Sequence, residues 1–491
     1  MELNILKDKS SQNNIIRIIL PVCLILGIGI KFCFLFQESL WPDEALYLFM
    51  GRNLAADPAN LTDINGRLFY HNPPLLMYLL SLVYRLNQIV VLGFEPAARL
   101  LIVFAASGIS IATYYIGKKN SGQATGLIAA TLVAVCPLTN WIGVRILTDI
   151  PVTFFIYLAV CFLMYDQKAA FFLAAACAVA TKYTALPLLF LPLLIKLRPR
   201  IWALLYAALF LVLLIFVLNK ELIPEPSGWL ALFYHFFTIP NFSHMIQEMR
   251  FFPGVPVLGL AVIGFIFTIR EKKYDALFHW VIFFGIFRFF LPWFMFRMSR
   301  YTLPIFPGIY LFAALGFSKS LQIIAFKWTQ YIRAAVVCFG ATLSLFFVFQ
   351  AIKSVDLLKH TQKTFSGFEA ACDFLKAQPG QRMSVATASP RQMKYFGSEF
   401  EVHDIQKKYG TEDFLEMINK RRIKFICIDL WSPHLPRWCR NYDYRSSGFE
   451  LIYQSQYFYI FRLSRLLPIT STACASELRQ GELSRAFLSL Q

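Results

Sequence analysis

The feature that most constrains this chain is its hydropathy. Apolar runs long enough to bridge a bilayer follow one another from residue 14 to residue 351, separated by short basic clusters. A helix needs about 20 apolar residues to cross the hydrocarbon core. The candidate spans are 14–36, 97–117, 123–143, 151–166, 169–182, 184–196, 201–218, 254–270, 275–291, 301–317 and 331–351, three of them short of that measure, so that spans could be merged or split. The chain is 57% hydrophobic and 15% charged, well below the roughly 25% charged residues of an ordinary soluble domain. Fifty Phe and nine Trp among its 491 residues suit lipid-facing surfaces and interfacial aromatic belts. The net charge of +18 comes from loop clusters rather than from a basic, aromatic-interleaved stripe, so nucleic acid is set aside as a partner.

The basic clusters fix a topology. Lys7, Lys9 and Arg17 precede the first span, which places the N-terminus on the cytoplasmic side by the positive-inside rule. Lys118 and Lys119, Lys168, Lys196 with Arg198 and Arg200, Arg270 with Lys272 and Lys273, and Lys319 with Lys327 then all fall in cytoplasmic loops, a parity that holds for about eleven spans. It holds only if residues 73–93 do not cross. Arg85, Asn87 and Gln88 lie in the middle of that run, a costly placement in hydrocarbon, so it reads as a juxtamembrane helix at the outer interface. The run at 14–36 is too long for a typical signal-peptide core and is read as a retained span.

This organisation gives a transmembrane domain over 1–354, with a first external loop at 37–96, and a polar segment at 355–465. In the latter, helix signals near 365–377 and 411–420 alternate with strand signals near 383–388, 423–429 and 449–462, which predicts a small extracytoplasmic α/β domain with a mostly parallel sheet. Residues 466–491 read as a tail. The ten Cys show no CxxC or Cys/His metal spacing, and most lie in apolar runs as small hydrophobes.

Charged residues bordering spans are expensive and therefore candidates for function. On the predicted topology they gather at the outer face. Asp43 and Glu44 lie in the first external loop, one turn before Tyr47, and are followed by Arg67, His71 and Asn72 before Pro73-Pro74. Arg145 and Asp149 border the span at Pro151, Lys182 follows another, and Arg297, Arg300 and Tyr301 precede a late one. A structural reading stands beside each. Asp43 and Glu44 suit the first turn of a helix with Pro42, Asp149 resembles an N-cap residue, and Lys182 and Arg300 could be snorkelling cations. Their shared side favours chemistry. A carboxylate can deprotonate a hydroxyl while neighbouring cations neutralise a leaving phosphate.

The motifs WPDEALY, HNPPL, LTDIP, ATKYTALP and RYTLPIFP, in this order, resemble those of the GT-C glycosyltransferases. The branch is that of the dolichyl-phosphate-mannose protein mannosyltransferases and the lipid A aminoarabinose transferase. The resemblance runs over roughly residues 14–350 and extends to the plan of many spans followed by an extracytoplasmic domain. It implies a cell-envelope enzyme of the plasma (inner) membrane. Such an enzyme moves a hexosyl or pentosyl unit from a polyprenyl-phosphate donor to a hydroxyl on a lipid, glycan or protein. On that pattern Asp43 is the catalytic base, Glu44 assists and Asp149 is the second acidic position. Tyr47, Arg67, His71, Asn72, Arg145, Lys182, Arg300 and Tyr301 are the candidate substrate contacts. Members of the lipid A branch often carry Lys before the Pro pair; here Asn72 stands there, after His71, which argues against the aminoarabinose substrate. A DxD-type nucleotide-sugar motif is not evident, and a divalent cation stays open as a cofactor. The competing class is a transporter or a flippase for lipid-linked sugars, against which the lack of repeat symmetry counts.

Overall fold

The computed structural model describes residues 25–36, 40–69, 72–90, 92–218, 251–273, 275–282, 299–327, 332–362, 367–378, 383–406, 409–430, 448–455 and 458–463, together with Val22 and single positions between 432 and 444. The chain divides into two compact units, Met1–Ser366 and Gly367–Gln491. The expected boundary at 354 falls inside a continuous helix, so the division lies about one helical turn or more further on. Residues 219–250 and the tail at 466–491 lie outside the described residues.

The first unit is helical. Residues 25–32 form α1, followed by α2 (Pro42–Ala56), α3 (Leu75–Asn87), α4 (Phe94–Ser121), α5 (Gln123–Val135), α6 (Pro137–Ile142), α7 (Asp149–Met164), α8 (Lys168–Thr181), α9 (Leu191–Lys196) and α10 (Pro199–Leu218). After these come α11 (Val255–Arg270), α12 (Phe306–Lys327) and α13 (Ile332–Gln362). Local chemistry explains where they stop. Gly122 closes α4 at a φ of 96° with Lys118 and Lys119 in the last turn, a conformation glycine adopts freely and a charge the helix dipole favours. Pro137 divides the expected 123–143 run into α5 and α6, and Pro187 lies inside a 3-10 segment, Tyr183–Phe190, ahead of α9. At the α11–α12 crossing, Gly264 and Gly316 face each other so closely that a Cβ on either would overlap the partner backbone.

Among the described residues, Phe94–Ser121 and Arg300–Ile323 are long and apolar enough to cross a membrane, and Leu75–Asn87, Gln123–Val135, Asp149–Met164, Lys168–Thr181, Tyr183–Lys196 and Val255–Arg270 are shorter apolar helices. The 13 residues of α3 extend about 20 Å, short of the roughly 30 Å hydrocarbon core. Its Arg85 reaches back to α2. Nε and Nη2 donate to the Ala55 carbonyl at 3.2 and 2.9 Å, so the guanidinium caps the C-terminus of α2 and fixes α3 against it.

The start of α12 departs from regular helix. Ser299–Ile305 is a 3-10 turn, and the α-helix begins at Phe306 with Pro307 next. The Gly308 N–H donates to the Tyr157 hydroxyl at 2.7 Å, and that hydroxyl donates to the Pro304 carbonyl at 3.1 Å. Trp280 Nε1 donates to the same carbonyl at 3.4 Å.

The second unit holds a five-stranded sheet in the order β2-β1-β3-β5-β4, with β1 Ser384–Thr387, β2 Glu401–Asp404, β3 Phe425–Asp429, β4 Phe449–Gln454 and β5 Phe458–Leu463. Helices α14 (Phe368–Lys376), α15 (Pro390–Phe396) and α16 (Thr411–Arg421) join them. The sheet is mixed rather than mostly parallel. β2, β1 and β3 are parallel, whereas β5 runs antiparallel to β3 and to β4. The single strand signal at 449–462 is a hairpin. β3 is buried along its whole length and packs Ile426 and Ile428 with Phe414, Ile418 and Phe449.

Candidate active site

Pro42 and the two acids start α2 because proline's fixed φ suits the first turn and carboxylates suit the positive end of the dipole. Successive helical residues point about 100° apart, and that rotation sends the neighbouring acids to different places. Glu44 is fully buried, whereas the Asp43 side chain is 29% exposed. Glu44 Oε2 accepts the Trp41 N–H at 2.9 Å, closing the helix start, and Oε1 accepts the Ile146 N–H at 2.8 Å. Arg145 Nη1 lies 3.4 Å from Oε2 and Arg99 Nε 4.0 Å from Oε1. Arg145 also donates to the Thr361 carbonyl at 3.0 Å and stacks its guanidinium over Trp41 at 5.0 Å. Burial pushes the Arg145 guanidinium down to about 10, against the raising effect of Glu44. The structure therefore places Glu44 and Arg145 in a sealed cluster that ties α2, α4, the 143–148 turn and the end of α13 together.

Asp43 faces a second group. Arg300 Nη2 donates to its Oδ2 at 2.8 Å, and Arg300 Nε lies 3.8 Å from Asp149 Oδ2. Lys182 Nζ donates to Asp149 Oδ1 at 2.7 Å. Tyr301 lies beneath both cations, its ring 4.6 Å from Lys182 Nζ and 5.3 Å from the Arg300 guanidinium carbon. Asp43, Arg300, Asp149 and Lys182 thus form a chain of alternating charges. Every member stands at the end of an element: the start of α2, the turn before α12, the start of α7 and the end of α8. Asp149 and Lys182 meet because α7 and α8 are an antiparallel hairpin, bringing the first residue of one beside the residue after the other.

Tyr47, one turn after Asp43, is buried, and its hydroxyl accepts from Asn72 Nδ2 at 2.8 Å. Burial first, and then the charge of Asp43, push its phenol well above the usual value, so it stays protonated. Arg67 is exposed on a small turn in which its N–H donates to Asp63 Oδ1 at 3.0 Å, and no described contact joins it to the ion-pair chain. His71 and Arg297 lie outside the described residues. Sequence reasoning missed Arg99 and Trp41, which complete the Glu44 cluster; a cation opening an apolar run carries the same signal as a snorkelling one. Among the described residues no group of three His, Cys, Asp or Glu side chains converges. Among the described residues, the two acids of the site are bridged by the Arg300 guanidinium.

No protein-family model matches the chain, and no curated protein does. Solved structures do. ArnT from Cupriavidus metallidurans in the apo state aligns over 92% of this chain and 98% of its own, with a TM-score of 0.59 and 14% identity. The same protein bound to undecaprenyl phosphate aligns over the same shares at a TM-score of 0.58 and 12% identity. The archaeal oligosaccharyltransferase AglB from Archaeoglobus fulgidus, in complex with an inhibitory peptide and a dolichol-phosphate, covers 94% of this chain and 75% of its own at a TM-score of 0.54 and 11% identity. The chain shares the fold of ArnT and AglB.

Proposed function

We propose that this chain is an integral-membrane glycosyltransferase that moves a monosaccharide from a polyprenyl-phosphate donor to a hydroxyl acceptor at the outer face of the plasma membrane. The observation that carries this reading is the partly exposed Asp43 carboxylate on Arg300, with Asp149 and Lys182 behind it. A base with access to solvent and two cations one carboxylate apart are the parts that transfer from a phosphate-linked sugar requires. The fold shared with ArnT, one structure of which holds undecaprenyl phosphate, supports a lipid-linked donor.

In this reaction Asp43 takes the proton of the acceptor hydroxyl, whose oxygen forms the new bond to the anomeric carbon. The bond from that carbon to the phosphate oxygen breaks, and the electron pair leaves with the polyprenyl phosphate. Arg300 and Lys182 stabilise that anion. Arg300 holds Asp43 at 2.8 Å. Donor phosphate competing for Arg300 releases Asp43, so the base is unmasked when a donor is present. Asp149 keeps both cations in register, Tyr47 and Asn72 line the approach to Asp43, and Glu44 with Arg145 holds the frame rather than the substrate.

Asp43→Asn, purified and reconstituted with a polyprenyl-phosphate sugar, is expected to lose transfer while still inserting and folding. Undiminished transfer sinks Asp43 as the base. Movement of the donor across vesicles with no covalent product replaces the transferase reading with the flippase one. Mass spectrometry of envelope lipids and glycans from cells with and without the gene identifies the sugar increment and its acceptor.

A further inference from the structure

Nothing in the reaction described above uses Tyr157, yet it is one of the largest fully buried side chains in the first unit and carries a polar group in a mostly apolar helix. A buried hydroxyl is held there at a cost unless it makes hydrogen bonds. This one makes two, and both fall on a single place: it accepts from Gly308 N–H and donates to Pro304 C=O. In a regular α-helix those two groups, four residues apart, bond directly to each other. The Tyr157 hydroxyl stands in that gap, an insertion of the kind that breaks a helix locally. The segment on the N-terminal side of the gap is the 3-10 turn Ser299–Ile305, which carries Arg300 and Tyr301.

We infer that Tyr157 is a positioning residue for Arg300: by holding the start of α12 open, it sets the turn that lays the guanidinium across Asp43 and Asp149. This rests on the transferase reading for its kinetic consequence but not for its geometry. Helix α7 grips the turn at two points. Its first residue, Asp149, takes Arg300 Nε at 3.8 Å; two turns further on, Tyr157 takes the backbone at Pro304 and Gly308. Asp43 touches Arg300 from α2, and Tyr301 lies against both cations. Without the hydroxyl, Gly308 N–H and Pro304 C=O are free to close on each other. The helix start then gains the 304–308 bond, with a rise per residue of about 1.5 Å in place of the about 2.0 Å of a 3-10 turn, while Pro304 and Pro307 bar regular helix further back. Arg300, four residues before Pro304, is carried with the shifted end of the turn. Gly308 is the residue type this arrangement needs, since a Cβ there would collide with Val281 and crowd the Tyr157 hydroxyl.

Tyr157→Phe tests the inference by two readouts. A structure of the variant is expected to show Gly308 N–H bonded to Pro304 C=O and Arg300 withdrawn from hydrogen-bond distance of Asp43; an unmoved Arg300 overturns the inference whatever the protein catalyses. In the transfer assay, the KM for the polyprenyl-phosphate sugar rises about tenfold, the scale of one lost charge-assisted hydrogen bond, with a smaller change in kcat. Combining Tyr157→Phe with Arg300→Lys costs no more than Arg300→Lys alone if Tyr157 acts through Arg300; losses that multiply show a merely structural role. A Tyr157→Phe chain that does not fold shows a structural role for the hydroxyl and overturns the inference, as does a folded variant whose KM does not move. A wild-type protein that transfers no sugar overturns the transferase reading separately, while the structural readout stands.

Discussion

Asp43 and Glu44 are adjacent, both acidic and both in the first turn of one helix, yet the structure gives them opposite surroundings, and substitution by the isosteric amide separates them. Glu44 is sealed from solvent with Arg145 and Arg99 beside it. Glu44→Gln leaves those guanidiniums without their anion, and stranding a buried charge costs about 3–5 kcal/mol. The amide also has one carbonyl oxygen for two backbone donors, Trp41 N–H and Ile146 N–H, which adds about 1 kcal/mol. Against a total stability on the order of 5–15 kcal/mol, that is a severe loss. Asp43→Asn keeps a carbonyl for Arg300 at a partly exposed position and costs about 1 kcal/mol, while removing a general base worth roughly 10²–10⁴-fold in rate. The assay pairs thermal aggregation in detergent, followed by size-exclusion chromatography, with transfer from a labelled donor at low temperature. Glu44→Gln is expected to lower the thermal midpoint sharply and keep measurable transfer in the cold, and Asp43→Asn to keep the midpoint and lose transfer. A thermally normal but inactive Glu44→Gln, or an Asp43→Asn that melts as early as Glu44→Gln, refutes this division of labour.

Chelation tests the guanidinium bridge: because Arg300 lies between Asp43 and Asp149, transfer by the purified enzyme is expected to survive excess EDTA, and a chelator-dependent loss restored by a divalent cation refutes it. In the second unit, burial lowers the His403 pKa below the ordinary 6.5, with Glu401 opposing. The unfolded chain therefore binds the proton first, and stability is lost as pH falls from about 6.5 toward the folded value. Amide protection in β1 and β2 of the full-length protein, taken relative to the intrinsic base-catalysed rate at each pH, should fall between about pH 7 and pH 5, and His403→Gln should flatten that trend; protection that rises as pH falls contradicts the sign.

The charge chain was legible because Asp43, Asp149, Lys182 and Arg300 each end an apolar run, where polar residues stand out against their surroundings. Sidedness then grouped them without any knowledge of contacts. The pairing was not legible. Glu44 and Arg145 carry the same sequence signal as Asp43 and Arg300, and only the 100° turn between neighbouring helical residues separates the sealed cluster from the open one. Tyr157 gave no signal at all, since one hydroxyl in an apolar helix reads as packing. In the second unit the hydrophobic strands β1 and β3 were visible, while β2, with the sequence EVHD, was not: an edge strand half open to solvent has no apolar alternation to detect.

The alternating charges of Asp43, Arg300, Asp149 and Lys182 sum to zero, and that arithmetic governs how a substrate arrives. A cleft with surplus positive charge casts a field into the surrounding water and gathers any dissolved phosphate within a Debye length. A balanced chain casts little, so soluble nucleotides and inorganic phosphate are not drawn in. An anion gains from the cations only after it has come close enough to trade places with a carboxylate. Such a site selects by delivery: ligands brought to it by diffusion in the plane of the membrane have the repeated close encounters that the exchange requires.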